Sequence, residues 1–357
     1  MPDDVSIAPV AQSPWTAQQR IPVRDLVLTA LPWVEEHMRG AAAGTRLERI
    51  GLIVQEHLET GGKRLRASLA LAAGASLGAD VRSVVPWASA VELLHNASLV
   101  HDDLQDGDTV RRGAPTTWVR HGTAHAINAG DLMLMLPFTV TADVPVPDAT
   151  RWHLVRALST SAVETVRGQA AEMDLLATRR LGIGDYLRVV EGKTASLLAV
   201  PVEGAALVAG RTITEARDLA RPFRKLGTLF QLQDDVLDLY GDKGRREIGA
   251  DLREGKVSAL VVEHLSRWPQ DEAELVELLE TPRDETPEAA VAYWIDRFAE
   301  SGALDGALER IVAMRDALDT ELAALGEPRL ETVGRRLCKR ALGPIAHVMH
   351  ARGHAVR

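Results

Sequence analysis

Apolar residues recur at spacings of three and four along the chain from about residue 25 onward, while alternating β-branched runs are scarce. The same windows are rich in Ala, Leu, Arg and Glu, which favour helix. The pattern predicts helix nearly throughout and an all-α fold over residues 21–357. Residues 1–20 carry Pro, Ser, Gln and Thr without periodicity and read as a flexible tail.

Punctuation places the elements. Gly61-Gly62 separates a helix near 45–59 from one near 63–75, and Pro86 opens a long apolar helix running through His95 to Asp103. Gly107, Gly113 and Pro115 mark a loop, Gly122 precedes a helix near 123–137, and Pro145 and Pro147 mark a second loop. Helices are expected near 148–177, 184–210, 213–240 and 256–267, then near 303–325 and 328–352. Thr281-Pro282 and Thr286-Pro287 each have the form of a helix start. No repeat period of a solenoid is present.

Composition narrows the classes. The chain has 357 residues, 46% hydrophobic and 25% charged, as an ordinary globular protein does. A net charge of −9 argues against a general nucleic-acid binder. The single cysteine, Cys338, allows no internal disulfide, which suits a cytoplasmic protein. The polar N-terminus lacks the layout of a signal peptide, and no stretch reaches the roughly 18 apolar residues of a membrane span.

The chemistry lies in two copies of one acid pattern, D-D-x-x-D, at Asp102, Asp103, Asp106 and at Asp234, Asp235, Asp238. Residues four apart share a helix face, so Asp102 pairs with Asp106 and Asp234 with Asp238. Most acid clusters merely coat a solvated helix face. Two such patterns arise by chance in roughly one sequence in a hundred of this composition. Both also lie beside core-type residues, Ala97 to Val100 and Leu229 to Leu232. Buried acids repel and are costly to desolvate unless a cation joins them. Carboxylate oxygens suit Mg²⁺, whereas zinc takes mainly Cys and His.

Basic patches complement the acids. Gly61-Gly62-Lys63-Arg64-Leu65-Arg66 combines a permissive backbone with a helix start, and Lys63 and Arg66 share a face. Arg111-Arg112 follows the first acid motif, and guanidinium groups bind phosphate through paired hydrogen bonds. Lys193-Thr194 follows Gly192, whose place inside an apolar helix suggests a kink or close approach. Lys256 ends the run Asp251-Leu252-Arg253-Glu254-Gly255-Lys256. His95 stands seven residues before Asp102 on the same face. A lone histidine there is usually a core residue, but the metal-facing stripe favours anion contact.

Taken together, Gly61–Arg66, His101 through Gly113, Lys193-Thr194-Ala195 and Phe230-Gln231 through Asp238 resemble the motifs of the trans-prenyltransferases (polyprenyl diphosphate synthases), in family order, across roughly residues 25–350. The resemblance implies a single large helical bundle around a deep central cavity, commonly a homodimer. It implies Asp102, Asp106 and Asp234 as main Mg²⁺ ligands, with Asp103, Asp235 and Asp238 supporting them directly or through water, and about three Mg²⁺ ions per site. Lys63, Arg66, His95 and Arg112 would hold isopentenyl diphosphate. Arg111, Lys193, Thr194, Gln231 and Lys256 would hold the allylic diphosphate, which is dimethylallyl, geranyl or farnesyl diphosphate.

Two departures stand out. Arg245 or Arg246 takes the place of a lysine that many relatives carry before Gly249, and Glu172 stands where relatives often show Asp. Glu172 is expected as a structural or supporting acid. Product length in the family depends on the residues four and five before the first Asp, here Ser98 and Ala97, which are small and allow growth past fifteen carbons. Leu132, Met133, Leu134, Met135, Leu136 and Phe138 are candidates for a cavity floor, against the plainer reading of core packing. The expectation is geranylgeranyl diphosphate, with farnesyl or longer products, a class I terpene cyclase, and a non-catalytic subunit of a heteromeric enzyme as alternatives.

Overall fold

The computed structural model describes residues 21–43, 48–241 and 248–354. The expectations for the 1–20 tail and for the Arg245 and Arg246 departure therefore lie outside the described residues. Helices dominate, as the periodicity predicts: α1 (Val23–Ala42), α2 (Arg49–Glu59), α3 (Leu65–Ser76) and α4 (Val81–Gln105) come first. A hairpin of two-residue strands follows, β1 (Val110–Arg111) against β2 (Ala114–Pro115). Then come α5 (Thr117–His121), α6 (Thr123–Thr141), α7 (Asp148–Ala177), α8 (Ile183–Val190), α9 (Ser196–Val208) and α10 (Ile213–Tyr240). The chain closes with α11 (Ala250–Arg253), α12 (Ala259–Arg267), α13 (Glu272–Glu280), α14 (Glu288–Glu300), α15 (Ala303–Ala323), α16 (Pro328–Leu342) and α17 (Ala346–Ala351). No helix among the described residues is long and apolar enough to cross a membrane.

Several boundaries differ from the sequence reading. Pro86 lies inside α4, which begins five residues earlier, where the Asp80 carboxylate accepts from the Arg82 N–H at 3.1 Å. As sixth residue, Pro86 lies past the first turn and forfeits one intrahelical bond, while burial of Val81, Val84 and Val85 favours the longer helix. The helix expected over 184–210 is interrupted by a π-helical segment, Glu191–Ala195. Thr281-Pro282 starts no helix. Thr281 Oγ1 donates back to the Glu277 carbonyl at 2.8 Å, so it finishes α13, and only Thr286-Pro287 leads into a helix. Lys256 precedes α12 in a loop turned by Gly255, whose φ is +71°. The helix expected over 328–352 breaks at a 3₁₀ turn, Gly343–Ile345.

The core sets the site. α4 is the central helix, packed by α1, α3, α6 and α9. Trp87, fully buried, lies against α9 where Gly204 leaves no room for a side chain, and its indole N–H donates to the Pro201 carbonyl at 3.1 Å. These contacts fix the N-terminal half of α4 and so carry Asp102 and Asp106, at its C-terminal end, to one place. α10 packs on α9 and on the π-helical segment, and brings Asp234 to the same region.

Candidate active site

A cavity of about 1380 Å³ opens between α4, α7, the π-helical segment, α10 and the loop before α12. Its lining takes Asp102 and Asp106 from one motif and Asp234 and Asp235 from the other, together with Lys63, Arg66, His95, Arg111, Arg112, Lys193, Thr194, Gln231 and Lys256. The two acid motifs therefore share one hollow.

Within it the acids divide. Burial raises the Asp102 carboxyl to about 6, offset by Lys193 and increased by Asp106. Asp103 turns out of the cavity and pairs with Arg111. Asp235 is 3% exposed and accepts from Tyr186 Oη at 2.7 Å, Gln231 Nε2 at 2.9 Å and the Ala259 N–H at 2.6 Å. Asp238 is equally buried, and its Oδ2 accepts from the Asp251 N–H at 3.1 Å. Asp103 and Asp238 do not line the cavity, and Asp235 spends its oxygens on protein donors. Their geometry is that of supports rather than open ligands.

Cations answer the acids. Lys193 pairs with Glu172. Burial alone would lower the Lys193 ammonium, but Glu172 and Asp102 hold it above its ordinary range. Lys256 Nζ lies 2.8 Å from Asp106 and 2.7 Å from Glu254, and it too is held high by those carboxylates against the effect of burial. Lys193-Thr194 reaches the cavity because α7 and the π-helical segment touch backbone to backbone. A side chain at Gly168 would collide with the Gly192 and Lys193 backbone. The extra residue of the π turn swings Thr194 towards α10, where its hydroxyl donates to Gln231 Oε1 at 3.2 Å.

A second group of donors carries few acids. The Arg66 guanidinium donates to His95 Nε2 at 2.9 Å. Burial, then Arg66 and Arg112, holds His95 far below its ordinary range, so the imidazole is neutral. Burial and Arg112 bring Arg66 down to about 10, with Glu92 opposing. Arg66 Nε and His95 Nδ1 are buried without a hydrogen-bond partner. Such orphaned donors beside Lys63 and Arg112 suit an anion. The backbone is built for this approach. Gly62, at φ +138°, lets the Arg112 guanidinium lie directly over it, where any Cβ would clash, and Arg112 donates to the Gly61 carbonyl. Arg64, in the same run, is instead buried at 7% exposure and donates to the Leu58 carbonyl at 2.7 Å, so it braces the loop.

The donor set fits a hard divalent cation. Asp102 is a half-buried carboxylate needing positive charge, and Lys193 and Lys256 now supply it. Among the described residues no three His, Cys, Asp or Glu side chains group closely enough to hold a metal ion by themselves. Mg²⁺ is commonly bound by one or two carboxylates plus phosphate oxygens and water.

The apolar part of the cavity departs from expectation. Ser98 lines it, along with Leu99, Val166, Val190 and Leu197, but Ala97 is 1% exposed and packs into the core. Leu132 to Leu136 and Phe138 do not line it. Met133 is fully buried in the core and Met135 is 54% exposed on the outside, so α6 gives these side chains to packing and to the surface. Polar lining residues that the sequence reading did not single out include Tyr186, Glu254 and Arg283. Glu254 could have been noticed from its place two residues before Lys256, whereas Arg283 carries no local signal.

Residues 48–296 match the polyprenyl synthetase family. The chain belongs to that family. It is 30% identical over 336 residues to a short chain isoprenyl diphosphate synthase of Methanothermobacter thermautotrophicus, covering 93% of this chain and 99% of that protein. It is 36% identical over 220 residues to a geranylgeranyl diphosphate synthase of Methanosarcina mazei, covering 61% of this chain and 68% of that one. Among solved structures, the polyprenyl synthase from Caulobacter crescentus superposes with a TM-score of 0.78 at 26% identity, over 90% of this chain and 97% of that one. That structure is complexed with calcium and isoprenyl diphosphate. Family membership agrees with the all-α fold and with the family resemblance read from the sequence.

Proposed function

We propose that the protein is a trans-prenyltransferase that condenses isopentenyl diphosphate with an allylic diphosphate, in the presence of Mg²⁺, to give geranylgeranyl diphosphate. The observation that carries this reading is one cavity with two separate anion-binding regions, one beside paired acids and one almost free of them. A terpene cyclase has no use for the second.

The allylic diphosphate belongs beside the acids, with Asp102, Asp106 and Asp234 holding Mg²⁺ and Arg111, Lys193, Thr194, Gln231 and Lys256 around the phosphates. When bound, about three Mg²⁺ ions would supply positive charge to the leaving diphosphate. The allylic C–O bond breaks and its electron pair leaves with the diphosphate. Lys193 and Lys256 stabilise that developing charge in a partly desolvated site. Lys63, Arg66, His95 and Arg112 hold isopentenyl diphosphate by its phosphates and aim its alkene at the allylic carbon. A carbon–carbon bond forms, and the proton lost passes to the departing diphosphate, so no protein base is required. The Thr194 hydroxyl and Gln231 amide face the cationic carbon with neutral dipoles. Val166, Val190 and Leu197 keep water from it.

Small Ser98, one turn below Asp102, supports chain growth beyond fifteen carbons. The relatives named geranylgeranyl diphosphate synthases point the same way. The homodimer implied by the resemblance is supported by exposed apolar residues on α6 and α7. Chromatography of products from purified protein, Mg²⁺, isopentenyl diphosphate and each allylic primer in turn tests the reading. A twenty-carbon diphosphate is expected. A hydrocarbon formed from geranylgeranyl diphosphate alone would instead mark a cyclase.

A further inference from the structure

Arg283 lies in the turn 281–287 between α13 and α14, outside every motif used above, yet it reaches the cavity. Its Nη1 stands 3.1 Å from Asp108 Oδ1 and 3.0 Å from Glu254 Oε1. The turn is anchored to the cavity wall. Arg253, 5% exposed, donates to the Thr286 carbonyl at 3.0 Å, and Thr286 Oγ1 donates to the Pro282 carbonyl at 3.0 Å. Gly255 packs so tightly on the Leu279 carbonyl that a side chain there would clash. Arg283 is thus held where it is by packing rather than by its ion pairs alone.

The partners form a line of alternating charge. Asp106 and Glu254 share the Lys256 ammonium, and Glu254 and Asp108 share the Arg283 guanidinium. The Glu254 side chain is only 8% exposed, so its charge is poorly screened and needs a cation nearby. Were Arg283 neutral, Lys256 would be the cation left within ion-pair distance of Glu254 among the described residues. Lys256 would then be held by Glu254 when an incoming diphosphate requires it.

We propose that Arg283 is a positioning residue for the allylic diphosphate: by neutralising Glu254 it leaves the Lys256 ammonium able to turn from the protein's carboxylates to the substrate's phosphates. This rests on the function proposed above. Neither Arg283 nor Glu254 touches the reacting carbons.

The test compares full-length wild type with Arg283→Gln, Arg283→Lys, Glu254→Gln and the double variant. Steady-state kinetics give KM for each substrate, and calorimetry gives the affinity for inorganic diphosphate with Mg²⁺. Arg283→Gln is expected to raise KM for the allylic diphosphate, and to weaken inorganic diphosphate, by about tenfold. The isopentenyl diphosphate KM should stay within about twofold, because Glu254 pairs with none of its ligands. Adding Glu254→Gln should restore both affected quantities to near wild type, since the carboxylate that captures Lys256 is gone. Arg283→Lys should restore them in part. Rescue by removing a second charge separates this role from simple misfolding. Unchanged affinities in Arg283→Gln, equal losses for both substrates, or a double variant no better than the single would overturn the proposal. Were the wild type to form no prenyl product, the proposed function would fall, while calorimetry with inorganic diphosphate would still decide the role of Arg283.

Discussion

On the proposed function, the half-buried Asp102 carboxyl ties pH to metal. Burial lifts it to about 6, so between its ordinary range and 6 the folded protein keeps a proton that the unfolded chain has lost. Raising the pH through that window therefore removes stability from the metal-free fold. A cation reverses the sign of this effect by favouring the carboxylate. Below pH 6, Mg²⁺ must displace the proton, so the concentration of Mg²⁺ alone that gives half the thermal upshift should rise about tenfold per pH unit, and should level off above about 7. An upshift equally easy to obtain at pH 5 and pH 7.5 would exclude Asp102 as a metal-linked acid. The acids were legible in the sequence because four-residue spacing on a helix is a local property. Their division of labour was not. That Asp103 turns to Arg111 while Asp102 faces the cavity depends on which side of α4 the hairpin packs.

At the scale of elements, helices α7 and α10 fall where periodicity put them, over Asp148–Ala177 and Ile213–Tyr240. Long amphipathic runs with clear starts, such as the Thr212 and Glu215 capping box of α10, are strong local signals. The π turn at Glu191–Ala195 was legible only as a misplaced glycine, because its cause is tertiary, the contact of Gly168 with Gly192. Gly168→Ala should push the π segment away from α7. We expect a loss of about 1–3 kcal/mol in unfolding free energy, with a fall in kcat as Lys193 and Thr194 shift. Denaturant melts and initial rates read both. A stable variant with full activity would show that the contact does not set the site. The same scale decides product length. Ser98 faces the cavity while Ala97 packs in the core, so Ser98→Phe should shorten the product to fifteen carbons. Ala97→Phe should instead destabilise the fold by overpacking, by about 1–3 kcal/mol. Chromatography of the Ser98→Phe products checks this, and an unchanged twenty-carbon product would move the length determinant elsewhere.

Across the whole molecule, charge and apolar surface are unevenly placed. The protein carries a net charge of −9, yet its cavity gathers arginine and lysine from five separate stretches of chain. This gathering belongs to the fold and was visible beforehand only as motifs in family order. On the outside, α6 has a single charged residue of the Asp, Glu, Lys and Arg types, Asp131, in a helix of 19 residues. Its outer face shows Ile127 at 43% and Met135 at 54% exposure. On α7, Trp152 at 66% and Val163 at 48% lie on one stripe, eleven residues or three turns apart. A face so poor in charge, with an exposed tryptophan, is more costly in water than ordinary surface, and a second copy of the chain is the partner that the homodimer reading supplies. Because α7 also carries Val166 and Gln169 into the cavity, pairing along this helix would brace the cavity wall. Sedimentation equilibrium should give twice the mass of 38.7 kDa for the wild type. The variant Met135→Lys with Trp152→Glu should sediment as a monomer, with unchanged helical circular dichroism and a reduced kcat. A wild-type monomer, or a dimer indifferent to both charges, would assign the apolar face to something other than self-association.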